Sequence, residues 1–376
     1  MIDFPIMPED ASKASWIFCS AIYFSVMFLF KRQALDEDVP EEYEFRNRKT
    51  FLSLSFLLIL CSFYSGDWAH YQTLVLEYKG YGYSHLDEIY RHLVVLIDNN
   101  YLLFRIIIWG GGYIALFYTF RLCGLNPYVS LYYLFCIYVT TYSYARAGVA
   151  MASYFVGVSL VFSDIELKKY QKYIVGIFFI GLSYFLHKSM IVLILLTPLA
   201  FFPINKKSIL LIIIAVIGIG FSFSLLMRFA TEFLMSSEDL ATSASLYISE
   251  SGSVTEGHSL IGSIITLWSK LIVHVPFLLC IYYMFTDEHV EYIQRNVVSI
   301  FRIAFGLYIF TIFMLVTYGS AAALYYRYEG MLYIPITILM CALRREEIIT
   351  EKVFRIIFWF CAGYQIQMFV YRLIFR

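Results

Sequence analysis

Charged side chains are scarce in this sequence: Asp, Glu, Lys and Arg make up 15% of its 376 residues, whereas 60% of the residues are hydrophobic. Soluble domains carry about 25% charged and about 45–50% apolar residues. Acidic and basic residues balance at 28 each, so no excess of positive charge points to nucleic acid or to a purely electrostatic membrane contact. The composition excludes an ordinary soluble domain and indicates an integral membrane protein.

Motifs for metal, disulfide or nucleotide sites are missing too. The seven cysteines lie in apolar runs, with no CxxC pair and no histidine at ligand spacing, which is typical of core- or lipid-facing thiols. They are Cys19, Cys61, Cys123, Cys136, Cys280, Cys341 and Cys361. No GxGxxG or P-loop pattern occurs, and no DxD-like acidic pair stands beside the candidate cations described below. We therefore predict no cofactor and no metal.

Long apolar runs are what the sequence has in abundance. Because a helix needs roughly 20 apolar residues to cross a bilayer, these runs predict an all-α, polytopic protein with about twelve transmembrane helices. The predicted spans cover residues 15–31, 50–65, 101–121, 127–143, 146–163, 172–187, 189–203, 208–228, 261–285, 302–319, 326–343 and 353–371. We expect residues 1–376 to form a single membrane domain.

Basic residues collect in alternate loops and give the orientation. They lie in residues 31–49, at 121, in 168–172, in 206–207, at 295 and in 344–355. The positive-inside rule assigns these loops to the cytoplasm. Two longer segments, 66–100 and 229–260, then lie on the periplasmic side, as do both termini. The second segment is acidic and rich in Ser and Thr, and we interpret it as a lid.

Two of the predicted spans, 146–163 and 172–187, form a hairpin that organises the candidate site. A basic turn joins them, so their other ends lie outside. That open end carries Arg146, His187 and Lys188. Ionisable groups at the edge of the membrane hydrocarbon are costly and usually face a polar cavity or a partner. The hairpin therefore predicts a cationic site at the outer face.

Each of these three residues also has a plainer interpretation. Arg146 can pair its planar fork with a phosphate, or it can snorkel to the headgroups; the small residues around it favour tight packing and hence the binding role. His187 follows two aromatic residues, which favours a functional role over an interfacial turn. For Lys188 the interfacial turn is the better interpretation.

An acidic candidate, Asp67, follows the second predicted span in the sequence YSGDWAHY. One helical turn would place Asp67 and Tyr71 on the same face, where the carboxylate could accept a proton from a substrate hydroxyl. Asp is also a common residue at a helix start. Both interpretations stay open, and they are compatible.

Arg327 stands near the start of the predicted span 326–343, among tyrosines that include Tyr326 and Tyr333. A cation beside aromatic rings suits a phosphate together with a stacked sugar, and it also suits an interfacial aromatic belt. Glu329 is expected to pair with Arg327 only weakly, because residues i and i+2 do not share a helix face.

Three further polar residues lie inside apolar runs. Lys270 and His274 are four residues apart in ITLWSKLIVHVPFLL, so either that span begins late or it carries a polar face within the membrane. A functional and a merely structural role are equally open for this pair. Arg105, early in the third span, either joins the cationic site or snorkels.

Taken together, Arg146, His187 and Arg327 are expected to reach the outer face from three different spans, with Asp67 beside them. Cations that hold a diphosphate more tightly as charge develops would assist its departure. A carboxylate or a histidine can accept the proton of a sugar hydroxyl. The residues therefore indicate a site for an anionic, lipid-linked substrate.

The motifs DWAHY, E-x-x-R (Glu88 and Arg91), RAGVAMA, FLHKS and YYRYEGMLY occur in this order. In this order and spacing they resemble the EpsG-like, Wzy-type polysaccharide polymerases of bacteria. The resemblance is clearest over residues 64–200 and thinner around 318–340, whereas residues 201–317 are similar only in hydropathy. The family often has Gln-Gly after the RAGVAMA arginine, and this sequence has Ala-Gly there.

This resemblance implies a GT-C/Wzy-like bundle in the bacterial inner membrane, with its active site facing the periplasm. Such enzymes move a growing glycan from one polyprenyl diphosphate carrier onto another carrier-linked repeat unit, in capsule, exopolysaccharide or O-antigen assembly. By motif, the catalytic positions are Asp67, Arg146, His187 and Arg327. We assign substrate binding to Tyr71, Glu88, Arg105, Lys188, Tyr326 and Tyr333. The expected partners are an undecaprenyl-diphosphate-linked oligosaccharide, the bilayer, a flippase and a chain-length regulator, and no nucleic acid.

Three other functions are compatible with the same features. A flippase or transporter of the lipid-linked glycan would favour inverted repeats and helices broken at mid-membrane, and the sequence has no internal repeat. A glycan ligase would deliver the glycan to a different acceptor. An outer-face O-acyltransferase would use His187 and would form an ester.

Overall fold

The computed structural model describes residues 13–35, 47–60, 75, 88–142, 145–163, 169–203, 212–218, 221–222, 260–286, 292–318 and 323–375. Several predictions fall outside these residues. They are Asp67, Tyr71, the proposed periplasmic segment as far as residue 87 apart from residue 75, and the proposed lid as far as residue 259. The positions of these residues stay predictions.

The described residues form helices and turns, with no β-strand among them. The helices are α1 (Lys13–Leu35), α2 (Arg48–Leu60), α3 (Glu88–Leu96), α4 (Tyr101–Leu122), α5 (Pro127–Tyr142), α6 (Ala145–Phe162), α7 (Lys169–Leu186), α8 (Ile191–Leu196), α9 (Leu260–Thr286), α10 (Arg295–Tyr318), α11 (Ala323–Gly330), α12 (Tyr333–Arg345) and α13 (Glu351–Phe375). Short 3₁₀ turns at Lys188–Met190 and Thr197–Phe201 flank α8. The all-helical class that the sequence predicts is confirmed.

Within the described residues, four helical stretches are long and apolar enough to cross a membrane: Tyr101–Leu122, Leu267–Thr286, Arg295–Thr317 and Glu351–Tyr371. Shorter apolar stretches cover Ala147–Phe162, Tyr170–Leu186 and Lys188–Phe201. These lengths and compositions indicate an integral membrane protein. The number of spans, twelve, stays a prediction.

The predicted hairpin is formed by α6 and α7, which pack against each other closely. A Cβ atom added to Gly157 would stand 2.6 Å from the carbonyl oxygen of Gly176, so only glycine allows the two backbones to approach this far. The Ser153 hydroxyl donates a hydrogen bond across the same interface to the carbonyl oxygen of Phe179, at 2.9 Å. Two small residues and a hydroxyl thus fix the geometry of this pair.

Loops that the sequence assigns to the cytoplasm meet at one end of the bundle. Arg344 donates to the carbonyl oxygen of Ala34 at 2.6 Å, and Arg355 donates to that of Leu35 at 2.7 Å. Carbonyl groups at helix ends have no partner inside the helix, so basic side chains stabilise them. Similar bonds join Arg345 to Gly124 at 2.8 Å, Asn296 to Leu122 at 2.7 Å and Arg302 to Ala200 at 2.9 Å. We call this the basic end.

One predicted span is broken into two helices. Residues 326–343 divide between α11 and α12, with turns at Met331 and Leu332. Pro335 has no N–H to bond the carbonyl oxygen of Met331, and its ring would clash with that carbonyl in a continuous helix. The chain therefore restarts a helix at Tyr333, where proline is tolerated in the first turn. The predicted span 189–203 is similarly interrupted, with its second 3₁₀ turn beginning at Thr197–Pro198.

Candidate functional site

Two pairs of polar residues, each with the spacing i, i+4, face one another inside the bundle. Lys270 and His274 lie on α9, and Tyr325 and Glu329 lie on α11. This spacing places both members of a pair on one side of their helix. The carboxylate of Glu329 is buried. Ionisable groups surrounded by apolar helices are rare in membrane proteins and usually functional.

The Glu329 carboxylate is bound through both of its oxygens. The Lys270 ammonium lies 3.3 Å from Oε2, and the Tyr325 hydroxyl donates a hydrogen bond to Oε1 at 2.8 Å. The His274 ring nitrogen Nε2 lies 3.7 Å from the same Oε1. The negative charge is thus compensated by a cation and by a donor, as a buried charge requires.

His274 is held from two sides by tyrosines. Its Nε2 lies 3.0 Å from the hydroxyl oxygen of Tyr325, and its Nδ1 lies 3.2 Å from that of Tyr308 on α10. The ammonium of Lys270 also lies 4.2 Å from the centre of the Tyr325 ring, within the range of a cation–π contact. Three helices therefore fix five polar side chains, which we call the Glu329 cluster: Lys270, His274, Tyr308, Tyr325 and Glu329.

The members of the Glu329 cluster differ in exposure. The side chains of Lys270 and His274 are 13% and 16% exposed, whereas that of Glu329 is 4% exposed. The carboxylate therefore lies behind the two nitrogen-bearing groups and orients them. A substrate that enters here would meet the ammonium and the imidazole first.

The Glu329 cluster lies away from the basic end. Tyr308 follows Arg295, the first residue of α10, by 13 residues, which corresponds to ~20 Å along a helix. Glu329 precedes α12, whose far end at Arg345 belongs to the basic end. The cluster thus lies near the middle of α9 and α10, well away from the basic end.

Aromatic packing supports the position of α9. The Tyr138 hydroxyl donates to the carbonyl oxygen of Ile272, between the two polar residues of α9, at 3.0 Å. The ring of Tyr138 stacks on that of Tyr333, with centres 4.5 Å apart. Nearby, the Trp268 indole N–H donates to the carbonyl oxygen of Phe360 at 3.1 Å. Tyr333, which we expected to bind substrate, lies in this packed layer and is 5% exposed.

Arg327 is the predicted catalytic residue that lies on the same helix as part of the cluster. It precedes Glu329 by two residues on α11 and is half-buried. The backbone of Tyr326 lies between Tyr325 and Arg327, while its side chain is outside the described part of the structure. The structure therefore brings one of the four predicted catalytic positions to the helix that carries Glu329.

Three of the other predicted positions, Arg146, His187 and Lys188, lie at the open end of the hairpin. Arg146 is the second residue of α6, and its side chain is outside the described part. His187 has an extended backbone, with φ −159°, and begins the 3₁₀ turn, in which Lys188 is exposed. The Tyr90 hydroxyl donates to the carbonyl oxygen of Leu186 at 3.0 Å, which docks α3 at this end. Because Glu88 is the first residue of α3, it belongs to the same region.

Arg105 has a role in helix packing. It is 2% exposed, and one terminal nitrogen donates to the carbonyl oxygen of Ile59 at 3.4 Å. That carbonyl belongs to the last turn of α2, where a cation is favourable. The guanidinium also lies 5.8 Å from the centre of the Tyr101 ring. These contacts stabilise the pairing of α2 with α4.

The sequence alone does not reveal most of the Glu329 cluster. From the sequence, Glu329 is expected to be only a weak partner of Arg327, and the role of Lys270 and His274 stays open. The available signal was the matching i, i+4 spacing of Tyr325 and Glu329 in a largely apolar stretch. Within the described residues, no three His, Cys, Asp or Glu side chains lie close enough together to hold a metal ion.

Comparisons with known proteins give one match. The model of the EpsG family matches residues 48–375, which extend from the first residue of α2 to the last residue of α13. No curated protein matches the chain. No solved structure matches it either. Because the family match covers most of the chain, the protein belongs to the EpsG family, whose members are membrane proteins of the polymerase type in polysaccharide synthesis.

Proposed function

We propose that the protein polymerises polyprenyl-diphosphate-linked oligosaccharide repeat units at the periplasmic face of the bacterial inner membrane, with the Glu329 cluster as its reaction centre. One observation carries this assignment. A lysine, a histidine and a glutamate are held together by hydrogen bonds inside an apolar bundle, well away from the basic end. Such a group is too costly in a membrane to serve packing alone.

The reaction joins two lipid-linked glycans. A hydroxyl oxygen of the acceptor sugar attacks the anomeric carbon of the donor glycan, and the bond from that carbon to the diphosphate oxygen breaks. A glycosidic bond forms, polyprenyl diphosphate leaves with the electron pair, and the hydroxyl proton passes to a base. The site therefore needs a cation for the leaving group and a proton acceptor for the hydroxyl.

Both groups are present in the Glu329 cluster. Lys270, which is partly exposed, supplies the charge that stabilises the departing diphosphate. His274 accepts the proton at Nδ1, where the acceptor hydroxyl takes the place of the Tyr308 hydroxyl. Its Nε2 carries a hydrogen and donates to the Tyr325 hydroxyl, because that hydroxyl itself donates to Glu329. Glu329 touches neither substrate and is a positioning residue, because it lies behind the other two.

The motif residues complete this scheme. Arg327, on the helix of Glu329, and Arg146, at the start of α6, bind the donor diphosphate through bidentate contacts. His187 assists at the phosphate or at the acceptor. Asp67 is a second candidate for the base. The acidic stretch 229–260 covers the growing glycan.

The test uses cells that carry the chain as their only polymerase of this pathway. Lys270→Gln and His274→Gln should each reduce the long-chain polymer about 100-fold, and single lipid-linked repeat units should accumulate. The control is Lys352→Gln, the same change at an exposed residue of the basic end, which should leave the polymer unchanged. Normal polymer in both cluster variants would refute the assignment of the site.

The side on which the single repeat units accumulate separates polymerisation from translocation. A membrane-impermeant glycosidase added to spheroplasts should digest the units that accumulate in Lys270→Gln cells, because a polymerase acts after translocation. Units that resist digestion would instead identify a flippase. Product analysis covers the remaining alternatives, since a ligase would give glycan on a new acceptor and an acyltransferase would give an ester.

A further inference from the structure

An apolar groove runs between α3, α4, α6 and α7. Its volume is about 510 Å³, and its walls include Ile107, Gly111, Val149, Phe179 and Leu186. None of the five residues of the Glu329 cluster lines it. The groove and the Glu329 cluster are therefore separate features.

The walls of the groove present hydrocarbon. Of its three polar lining residues, two turn their polar atoms into the protein. The Tyr90 hydroxyl donates to the carbonyl oxygen of Leu186 at 3.0 Å, and the Ser153 hydroxyl donates to that of Phe179 at 2.9 Å. The third polar lining residue is His92 on α3. A ligand for these walls needs a long apolar part.

The groove extends from the outer end of the bundle towards its middle. Along α4 it runs from Ile107 to Ala115, eight residues that correspond to ~12 Å. Ala115 lies past the midpoint of α4, which covers Tyr101–Leu122. Below this depth α6 and α7 close together, because Gly157 and Gly176 bring their backbones into contact.

The groove is open to the surrounding lipid. Ile107, which belongs to the spanning stretch Tyr101–Leu122, lines it and is 41% exposed. Exposed apolar side chains within a membrane-spanning stretch face the hydrocarbon of the bilayer. A lipid tail can therefore enter from the side without crossing water.

One nitrogen-bearing side chain lines the outer part of the groove, that of His92. Lys188 is exposed and follows Leu186, which also lines the groove, by two residues. An anionic headgroup here would be favoured by the charge of Lys188 and by hydrogen bonding to the His92 ring.

We propose that this groove binds one isoprenoid chain of a polyprenyl phosphate or diphosphate, with the phosphate next to His92 and Lys188. This inference rests on the proposed function, because it names where the carrier of the acceptor repeat unit is held. The donor diphosphate then lies at the Glu329 cluster, and the acceptor glycan extends from the groove to that cluster. A single apolar slot with a basic mouth fits a carrier with one chain and a phosphate.

Gly111 offers a direct way to fill the groove. It lines the groove, and a Cβ atom added to it would meet nothing within 4 Å. A larger side chain at this position therefore enters free space and leaves the helix packing intact. Gly181 on α7 is the matched control, because its added Cβ also meets nothing within 4 Å and it does not line the groove.

The experiment measures binding of a long-chain polyprenyl phosphate that carries a photoreactive group. The full chain is placed in phosphatidylcholine nanodiscs, and labelling is titrated and mapped by mass spectrometry. Labels should fall on α4 and α7, and Gly111→Phe should raise the half-saturating concentration about tenfold. Gly181→Phe should leave it unchanged. Equal titrations for the two variants, or labels that map outside the groove, would overturn the proposal.

Competitors identify the lipid that occupies the groove. Unlabelled polyprenyl phosphate should compete well, whereas polyprenyl alcohol and phosphatidylglycerol should compete at least tenfold less well. In Lys188→Gln and His92→Gln the preference for phosphate over alcohol should disappear. Equal competition by phosphatidylglycerol would show that the groove takes bulk lipid, and the proposal would be wrong.

Failure of this proposal is distinguishable from failure of the proposed function. Binding is measured without any polymerisation. If the groove variants bind normally while Lys270→Gln cells make no polymer, the groove assignment alone fails. If the groove binds the probe as expected while Lys270→Gln and His274→Gln cells make normal polymer, the assignment of the reaction centre fails.

Discussion

The ammonium of Lys270 and the carboxylate of Glu329 lie 3.3 Å apart and are both largely shielded from solvent. The two residues are 59 positions apart in the sequence and belong to α9 and α11. Removing one partner of a buried pair leaves an uncompensated charge, whereas removing both leaves none. This asymmetry gives a prediction that separates folding from activity.

We expect Lys270→Met and Glu329→Met each to destabilise the protein by about 3–5 kcal/mol. The double variant should recover most of that loss and should still make no polymer, because the charges that act on substrate are gone. The measurements are the thermal unfolding midpoint of purified protein in detergent and the polymer made in cells. An active double variant would contradict the proposed role of the pair.

The hydroxyl of Tyr308 is expected to set the orientation of the His274 ring through its contact with Nδ1. Tyr308→Phe should slow polymerisation about fivefold, which corresponds to the loss of one hydrogen bond. Its unfolding midpoint should stay close to that of the parent protein. Tyr282, exposed on α9, provides the matched control, and Tyr282→Phe should polymerise at the parent rate.

The two motif arginines are predicted to bind the donor diphosphate. Arg146→Ala and Arg327→Ala should each abolish polymer while the protein remains folded and in the membrane. Arg146→Lys and Arg327→Lys should restore only part of the activity, because lysine cannot pair bidentately with phosphate. Full activity in either alanine variant would remove that arginine from the site.

The orientation of the bundle can be tested by labelling from outside the cell. Lys188 lies at the open end of the hairpin, and Lys352 lies at the basic end; both are exposed. In a variant that lacks the native cysteines, Lys188→Cys should react with a membrane-impermeant maleimide added to intact cells, and Lys352→Cys should not. Disruption of the membrane should make Lys352→Cys reactive. The reverse pattern would place the candidate site in the cytosol.

Close contact between α6 and α7 predicts a sharp difference between two glycines. Gly157→Leu would force side-chain atoms into the backbone of α7 at Gly176, and the cost of such overpacking is about 1–3 kcal/mol or more. Gly181→Leu has free space on the same helix pair. The unfolding midpoint and the yield of monodisperse protein should therefore fall for Gly157→Leu and stay unchanged for Gly181→Leu.

Features that depend on short stretches of sequence could be predicted well. The hairpin of α6 and α7 follows from two apolar runs joined by a basic turn. The loops of the basic end follow from the positions of lysine and arginine, and the structure joins them through contacts such as those of Arg344 and Arg355 with the end of α1. The family followed from the order of short motifs, and the match over residues 48–375 confirms it.

What the sequence by itself determined is the all-helical membrane class and the family, because apolar length and motif order are local properties of the chain. Only the tertiary structure decided that Glu329 meets Lys270 and His274, since hydropathy does not specify how far each helix is rotated towards its neighbours. The groove beside α6 was decided in the same way, because it exists only as space between four helices. The helix break before Tyr333 depends on both. Pro335 is visible in the sequence, but the position of the break relative to the Glu329 cluster depends on how α11 and α12 pack.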